Sequence, residues 1–153
     1  MASSQILDPQ QILLVSDEQA SKRLIKTFAM DNFERLFRNY HRDIVKMDFD
    51  GLETSGDVLR STFNFVISDE MRKLLDDTKR VIEEKDKERL LQLHLVFLRK
   101  CEIFHKELED YLKMPVPSPD LSKLIQEFKK KYGVEEIDGE AKQDGSCADC
   151  SIF

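Results

Sequence analysis

The sequence predicts an all-α protein, built as an antiparallel helical hairpin or an elongated helical bundle with coiled-coil-like seams and a disordered C-terminal tail. Three observations support this fold class. Apolar residues recur every three or four positions along most of the chain, and the 153 residues include only 5 glycines and 4 prolines. Charged residues make up 35% of the chain, as expected of helices with a solvated face. We expect an N-terminal arm at 1–15, a helical domain at 16–132 and a flexible acidic tail at 133–153.

The first helix is predicted from about Asp17 to Met47. Ser16 and Gln19 have the spacing of a capping box, in which each side chain accepts a hydrogen bond from a backbone N–H at the helix start. The apolar positions form one face, and basic residues fall largely elsewhere. These apolar positions are Ala20, Leu24, Phe28, Phe33, Leu36, Phe37, Tyr40, Ile44 and Met47. The apolar run upstream, from Ile6 to Val15, predicts a docking arm.

Turn-forming residues separate the first two helices. The stretch Asp48–Gly56 contains two glycines, a threonine and a serine, which predicts a loop. The apolar pattern resumes from Asp57 and predicts a second helix that reaches Val81. The charged run Glu83–Arg89 then interrupts the pattern without any glycine or proline. This run is compatible either with a turn or with an exposed stretch of one long helix, and the sequence does not decide between them.

The third helix is predicted from Leu90 to Tyr111 and carries two apolar stripes on adjoining faces. A helix that is apolar over so wide an arc needs cover on more than one side. The segment Met114–Pro117 contains two prolines, which end the helix because proline lacks an N–H donor. Ser118 followed by a proline then predicts the start of a short fourth helix, which Gly133 ends.

Charge and hydropathy exclude several classes of protein. The formal net charge of -6 repels phosphate backbones, so we expect no direct nucleic-acid binding. No apolar run approaches the roughly 18 residues that a membrane helix needs, and no basic region followed by an apolar stretch marks a secretory signal. The three cysteines do not form the framework of a secreted disulfide-rich protein. These features predict a protein of the cytoplasm or the nucleus.

The last four residues, Cys150, Ser151, Ile152 and Phe153, fit the C-a-a-X pattern for prenylation, and a terminal Phe favours a geranylgeranyl group. We therefore expect a lipid on Cys150 that allows membrane contact. Stable anchoring needs a second signal, yet the residues just before Cys150 are acidic. Cys147 is a further candidate for lipidation, with a free thiol as the alternative.

No other pattern points to catalysis or to a cofactor. The chain has no phosphate-binding glycine loop, no G-x-S-x-G and no H-E-x-x-H motif, so we expect neither an enzyme nor a small-molecule substrate. Cys147 and Cys150 also form C-x-x-C, but a zinc site needs a second ligand pair. Cys101 and His105 lie one helical turn apart with no third ligand evident, so we assign Cys101, like His94, to the core.

Five short patterns follow one another along the chain. They are Phe28-x4-Phe33-x3-Phe37, Phe63-x3-Ile67-x2-Glu70, Ile82-Glu83-Glu84, Arg89-Leu90-x2-Leu93 and Pro115-Val116-Pro117. With these patterns, residues 20–121 resemble the polyamine-modulated-factor family, a small helical subunit of the four-protein Mis-twelve (MIND) complex at the kinetochore. The chain differs from that family in lacking a long C-terminal coiled coil and in its last four residues. The resemblance implies a structural role, in which the helices pair with a partner subunit to link centromeric chromatin to the microtubule-binding layer.

The apolar stripes exceed what a lone three-helix bundle needs, because the third helix has two stripes and the second carries Phe65 and Val66 beside its main one. Each further large apolar side chain buried against a partner contributes roughly 1.5 to 3 kcal/mol. We therefore predict a non-enzymatic helical interaction or scaffold subunit of a hetero-oligomer, or alternatively a prenyl-anchored peripheral membrane adaptor. The residues predicted to contact helical partners are Phe28, Phe33, Phe37, Phe63, Ile67, Met71, Leu74, Phe97 and Phe104.

Overall fold

The computed structural model describes residues 6–9 and 17–134, and this part of the chain is an all-α helical bundle, which confirms the predicted fold class. The first helical segment runs through α1 (Glu18–Thr27), a π-helical turn (Phe28–Asn32) and α2 (Phe33–Val45). The helices that follow are α3 (Phe49–Phe63), α4 (Asp69–Glu84), α5 (Lys87–Leu112) and α6 (Leu121–Tyr132). The predicted arm at 1–15 lies mostly, and the predicted tail at 133–153 almost wholly, outside the described residues.

The predicted first helix is confirmed, and its irregular apolar spacing has a structural explanation. Phe28 and Phe33 are five residues apart, and the π-helical turn between them accommodates the extra residue. Both rings are buried, with 6.2 Å between their centroids. Asp17 caps the helix, because its carboxylate accepts a hydrogen bond from the N–H of Ala20 at 2.7 Å. The predicted cap, Ser16, lies outside the described residues.

The prediction of a loop over Asp48–Gly56 is wrong, because most of this stretch belongs to α3. Asp48 caps the helix by accepting a hydrogen bond from the N–H of Gly51 at 3.0 Å. Gly56 is buried where α3 packs against α2, and a Cβ on it would touch the ring of Tyr40 at 3.5 Å. Gly56 is therefore a buried position inside a helix and not a turn residue. The buried positions of α3 are Leu52, Gly56, Leu59 and Phe63.

The predicted second helix is interrupted by a connector, residues 64–68, between α3 and α4. Ser68 caps α4, since its hydroxyl accepts a hydrogen bond from the N–H of Met71 at 3.4 Å. The break turns Val66 and Ile67 into the core, where both are buried. The apolar pattern of the sequence did not reveal the break because Ile67 continues the stripe of the predicted helix.

The charged run that the sequence left open forms a turn between α4 and α5. Lys85 takes a left-handed conformation, with φ of 56°, and ends α4. Asp86 caps α5 by accepting a hydrogen bond from the N–H of Arg89 at 3.2 Å. The two helices are therefore separate and pack against each other as an antiparallel pair.

The predicted third and fourth helices are confirmed. Lys113 ends α5 in a left-handed conformation just before the predicted proline break. The N-cap of α6 is Asp120 rather than the predicted Ser118, and its carboxylate accepts a hydrogen bond from the N–H of Lys123 at 3.1 Å. Gly133 ends α6 with φ of 63°, as the sequence predicts.

The segment α1–α2 runs antiparallel to α5, as successive ring contacts show. Phe28 lies 5.8 Å from Phe104, and Phe37 lies 6.1 Å from Phe97, so the numbers rise along one helix and fall along the other. The C-terminal helix α6 covers the far end of this pair. Its last residue, Tyr132, donates a hydrogen bond from its hydroxyl to the carbonyl of Val45 at 3.0 Å.

Candidate functional site

The side chains predicted to contact helical partners lie in the protein's own core. Each is at most 9% exposed, which leaves it no surface to offer a partner in this fold. They are Phe28, Phe33, Phe37, Phe63, Ile67, Met71, Leu74, Phe97 and Phe104. The predicted interface is corrected accordingly. The prediction treated Asp48–Gly56 as a loop and the N-terminal arm as separate from the helical domain. In the structure, α3 and the arm cover much of the apolar surface of the other helices.

An extended segment of the N-terminal arm pairs with the connector between α3 and α4. Leu7 and Ile67 form an antiparallel bridge. Two backbone hydrogen bonds of 2.7 Å flank it: the N–H of Asp8 donates to the carbonyl of Val66, and the N–H of Ser68 donates to the arm in return. This is the hydrogen-bond pattern of an antiparallel strand pair, formed on the surface of a helical bundle.

Glu107 of α5 binds the same segment from the other side. Its Oε1 accepts hydrogen bonds from two successive backbone N–H groups, that of Ile6 at 2.9 Å and that of Leu7 at 2.8 Å. Hydrogen bonds to an ionised carboxylate are roughly twice as strong as neutral ones. The Ile6 and Leu7 side chains are buried. We call the site formed by residues 66–68 and Glu107 the arm seat.

The connector side of the arm seat is braced by Arg72 of α4. The guanidinium donates hydrogen bonds to the carbonyl of Asn64 at 3.2 Å and to the carbonyl of Ile67 at 3.0 Å. It also forms an ion pair with Asp69. These contacts come from α4 and not from the arm, so the folded bundle itself holds the pairing edge in shape.

His41 of α2 and His94 of α5 form a hydrogen-bonded pair beneath α6. Nδ1 of His41 lies 2.8 Å from Nε2 of His94, and their ring centroids are 5.1 Å apart. Phe128 of α6 packs edge-on against His94 at 5.3 Å. His94 is fully buried, which confirms it as a core histidine, and its Nδ1 has no hydrogen-bond partner among the described residues. The sequence did not reveal His41 as its partner, because 53 positions separate the two.

Burial keeps both histidines of this pair neutral. It lowers the pKa of His94 well below its usual value, and the neighbouring His41 lowers it further. Burial also lowers the pKa of His41, while the carboxylate of Glu127 on α6 opposes this shift. The hydrogen-bonded pair joins α2 to α5, with His94 fully buried and His41 partly exposed beside α6.

Cys101 and His105 have structural roles. Cys101 is buried, as predicted, and burial raises the pKa of its thiol well above the usual value, which keeps it unreactive. Nε2 of His105 lies 2.8 Å from the carbonyl of Val116 and ties α5 to the segment before α6.

An open groove of about 380 Å³ lies between α2 and α3. Its charged groups serve the fold, since Asp43 pairs with Arg42 at 3.3 Å and Asp48 caps α3. Oγ of Ser55, which also lines the groove, is buried and has no hydrogen-bond partner among the described residues. A serine needs an adjacent base to become a nucleophile, so this groove lacks an activated one.

Comparison with known proteins gives no match for the chain. No protein family, curated protein or solved structure matches it.

Within residues 6–9 and 17–134, no group of three His, Cys, Asp or Glu side chains is placed to hold a metal ion. In the same residues, no helix combines the length and the apolar character needed to cross a bilayer. The predicted lipidation residues Cys147, Cys150, Ser151, Ile152 and Phe153 lie outside the described residues.

Proposed function

We propose that the chain is a non-enzymatic helical adaptor: a domain that folds by itself, binds protein partners through its surface and reaches membranes through a lipid on Cys150. The observation that supports it most directly is that all nine side chains first assigned to a partner interface lie in the chain's own core. The interface of an obligate subunit resembles a hydrophobic core cut in half, and the lone subunit exposes it. In this bundle, the chain's own helices and arm cover the apolar side chains that such an interface would expose.

The purified full chain tests whether the domain is self-contained. We expect a monomer in sedimentation velocity and one cooperative urea transition, with the same midpoint by circular dichroism and by tyrosine fluorescence. Such behaviour follows because the core needs no second chain to exclude water. A pure chain that aggregates, and that becomes soluble only when co-expressed with a helical partner, contradicts the proposal.

The membrane part of the proposal is supported by the sequence Cys150-Ser151-Ile152-Phe153 and by a basic cluster upstream of it. Lys129–Lys131 form the last turn of α6. A lipid chain together with a basic patch is one two-signal combination for stable membrane anchoring, and here the basic patch lies about twenty residues upstream of Cys150, beyond the acidic tail. The lipid requires Phe153 to be the C-terminal residue in the cell, and the intact mass of the native protein measures both the terminus and the lipid.

Cell fractionation tests the membrane part with a matched pair of variants. Cys150→Ser should move the protein from the membrane fraction to the soluble fraction, because the thiol that accepts the lipid is gone. Cys147→Ser, three residues away, should leave the distribution unchanged if a free thiol occupies that position. Identical fractionation of the wild type and Cys150→Ser removes the membrane part and leaves the self-contained protein-binding domain standing.

A scaffold role in a hetero-oligomer, including the kinetochore role that the family resemblance implies, is the second candidate. It is favoured by two exposed large apolar side chains, Phe65 at 65% and Leu24 at 53% exposure. Tagged wild type purified from native mitotic cells should then bring down helical subunits in stoichiometric amounts. Phe65→Ser and Leu24→Ser, which change only exposed positions, should lose them. Recovery of the chain without stoichiometric subunits contradicts the scaffold role.

A further inference from the structure

We propose that the arm seat is a binding site for an extended segment of a partner protein, and that the N-terminal arm is its built-in competitor. This inference deepens the proposed adaptor function by placing the partner-binding site at residues 66–68 and Glu107. The segment seated there in the structure, Ile6–Asp8, shows what chemistry the site recognises.

Four hydrogen bonds of the arm seat use backbone groups of the arm. Both hydrogen bonds to Glu107 come from main-chain N–H groups, and both bonds to the connector join main-chain atoms of the arm. Every residue except proline carries these groups. A segment from another protein can therefore make the same four hydrogen bonds, as in recognition by strand addition to an open edge.

Two features of the seat select its ligand. The first two positions of the segment must be apolar, because the side chains of Ile6 and Leu7 are buried there. None of the three positions can be proline, since Ile6, Leu7 and Asp8 each donate a backbone N–H. The expected ligand is thus an extended stretch of two consecutive aliphatic residues followed by any residue with an N–H.

We expect the arm to leave the seat while the helices stay folded, although its departure uncovers the part of the core that Ile6 and Leu7 pack against. It reaches the bundle from the N-terminal side of α1, and the connector that it pairs with is braced by Arg72. Terminal segments open at lower free energy than the helices that form the core. While it is seated, the tethered arm competes at an effective concentration on the order of millimolar, which conceals the site from weak ligands.

The experiment uses the full chain with its arm weakened in place. The double variant Ile6→Ser/Leu7→Ser keeps every residue but loses both apolar anchors. The probe is a fluorescein-labelled peptide of residues 1–10, and its control carries proline in place of Leu7. We expect the double variant to bind the probe at least tenfold more tightly than the wild type, and the proline peptide to bind at least tenfold more weakly than the probe.

A second pair of substitutions locates the binding site. In the double variant, Glu107→Ala should weaken probe binding at least tenfold, because it removes the acceptor of two hydrogen bonds. Asp110→Ala, an exposed carboxylate on the same helix, should leave it unchanged. The proposal is overturned if the folded double variant binds no probe. It is also overturned if Glu107→Ala leaves the affinity for the probe unchanged. A wild-type dimer that the double variant abolishes also overturns it, in favour of arm exchange between two copies.

Hydrogen–deuterium exchange of the wild-type chain keeps the test decisive if the double variant fails to fold. The amides of Ile6, Leu7 and Asp8 should exchange at least 100-fold faster than buried amides in the middle of α5, because the arm opens without global unfolding. Exchange of these amides only at the rate of global unfolding overturns the proposal. Neither readout involves a lipid or a membrane, so failure here is distinct from failure of the membrane part of the adaptor function.

Discussion

Nδ1 of His41 and Nε2 of His94 are 2.8 Å apart, so one of the two rings donates a hydrogen bond from its N–H to the other. A protonated His94 carries a hydrogen on both ring nitrogens. Its Nδ1–H would then need an acceptor, and none of the described residues supplies one. An unsatisfied buried donor costs about 1 to 3 kcal/mol. The missing acceptor therefore adds to burial in disfavouring a second proton on His94.

We predict that the free energy of unfolding falls as the pH drops below about 6.5, the ordinary pKa of histidine. The folded pKa of His94 is lowered, first by burial and then by His41, so the unfolded chain binds more protons in this range. The stability from this pair is complete above the unfolded pKa and is lost as the pH falls through the folded values. For a buried histidine that stays neutral at pH 5, the loss is on the order of 2 kcal/mol.

Urea unfolding from pH 7.5 to pH 5 measures this dependence, and His94→Leu is the variant that isolates it. Leucine fills similar space but cannot take up a proton, so the decline in stability between pH 6.5 and 5 should be shallower than in the wild type. Glu127 and Lys131 of α6 face His41, and both remain in this variant. Equal slopes for the two proteins would show that other groups dominate the acid response.

We predict that Phe33→Ala destabilises the fold by about 3 to 5 kcal/mol, the usual cost of removing a buried phenylalanine. Phe33 is fully buried, and its ring centroid lies 5.6 Å from that of Phe104 and 6.0 Å from that of Phe63. Removing the ring would therefore leave a cavity at the centre of the core. Phe65→Ala, at a 65% exposed position, should change stability by less than about 0.5 kcal/mol. Similar losses in urea unfolding for both variants would contradict the assignment of Phe33 to the core.

The helical class was predictable because the apolar period and the scarcity of glycine and proline act locally, within one turn of a helix. The first half of α3 was predicted as a loop because its glycines are also typical of turns. The positions Leu52, Gly56 and Leu59 keep a helical spacing, but that signal becomes evident only when Gly56 is counted as a core position. A glycine is compatible either with a turn or with a buried helix position, and the packing that buries Gly56 involves Tyr40 of another helix, which the local sequence does not show.

The arm seat could not be predicted from sequence, although the apolar run that contains Ile6 and Leu7 was recognised as a docking arm. Glu107 stands among other charged residues of α5, and nothing local distinguishes it from a solvated glutamate. Its role depends on backbone N–H groups about 100 positions away. The nine partner residues were misplaced for a related reason: the need for cover was visible locally, whereas the elements that provide it were not.

We predict that Tyr132→Phe loosens α6 from the bundle and lowers stability by about 1 kcal/mol. The Tyr132 hydroxyl donates to the carbonyl of Val45 at 3.0 Å, and a typical intramolecular hydrogen bond contributes about that much. Tyr111→Phe is the matched control, because the Tyr111 hydroxyl makes no hydrogen bond within the described residues. Urea unfolding measures the stability of both variants. An equal loss of stability would contradict a contribution from the Tyr132 hydrogen bond.

We predict that Lys113→Gly stabilises the protein by about 0.5 to 1 kcal/mol, even though it deletes a side chain. Lys113 ends α5 with φ of 57°, a left-handed conformation that strains any residue with a Cβ. Glycine relieves that strain, and its greater freedom in the unfolded chain offsets only part of the gain. Lys106→Gly, at an exposed position with helical backbone inside α5, should instead cost about 1 kcal/mol. Because the two variants delete the same side chain from the same helix, urea unfolding that gives them the same sign would contradict the conformational explanation.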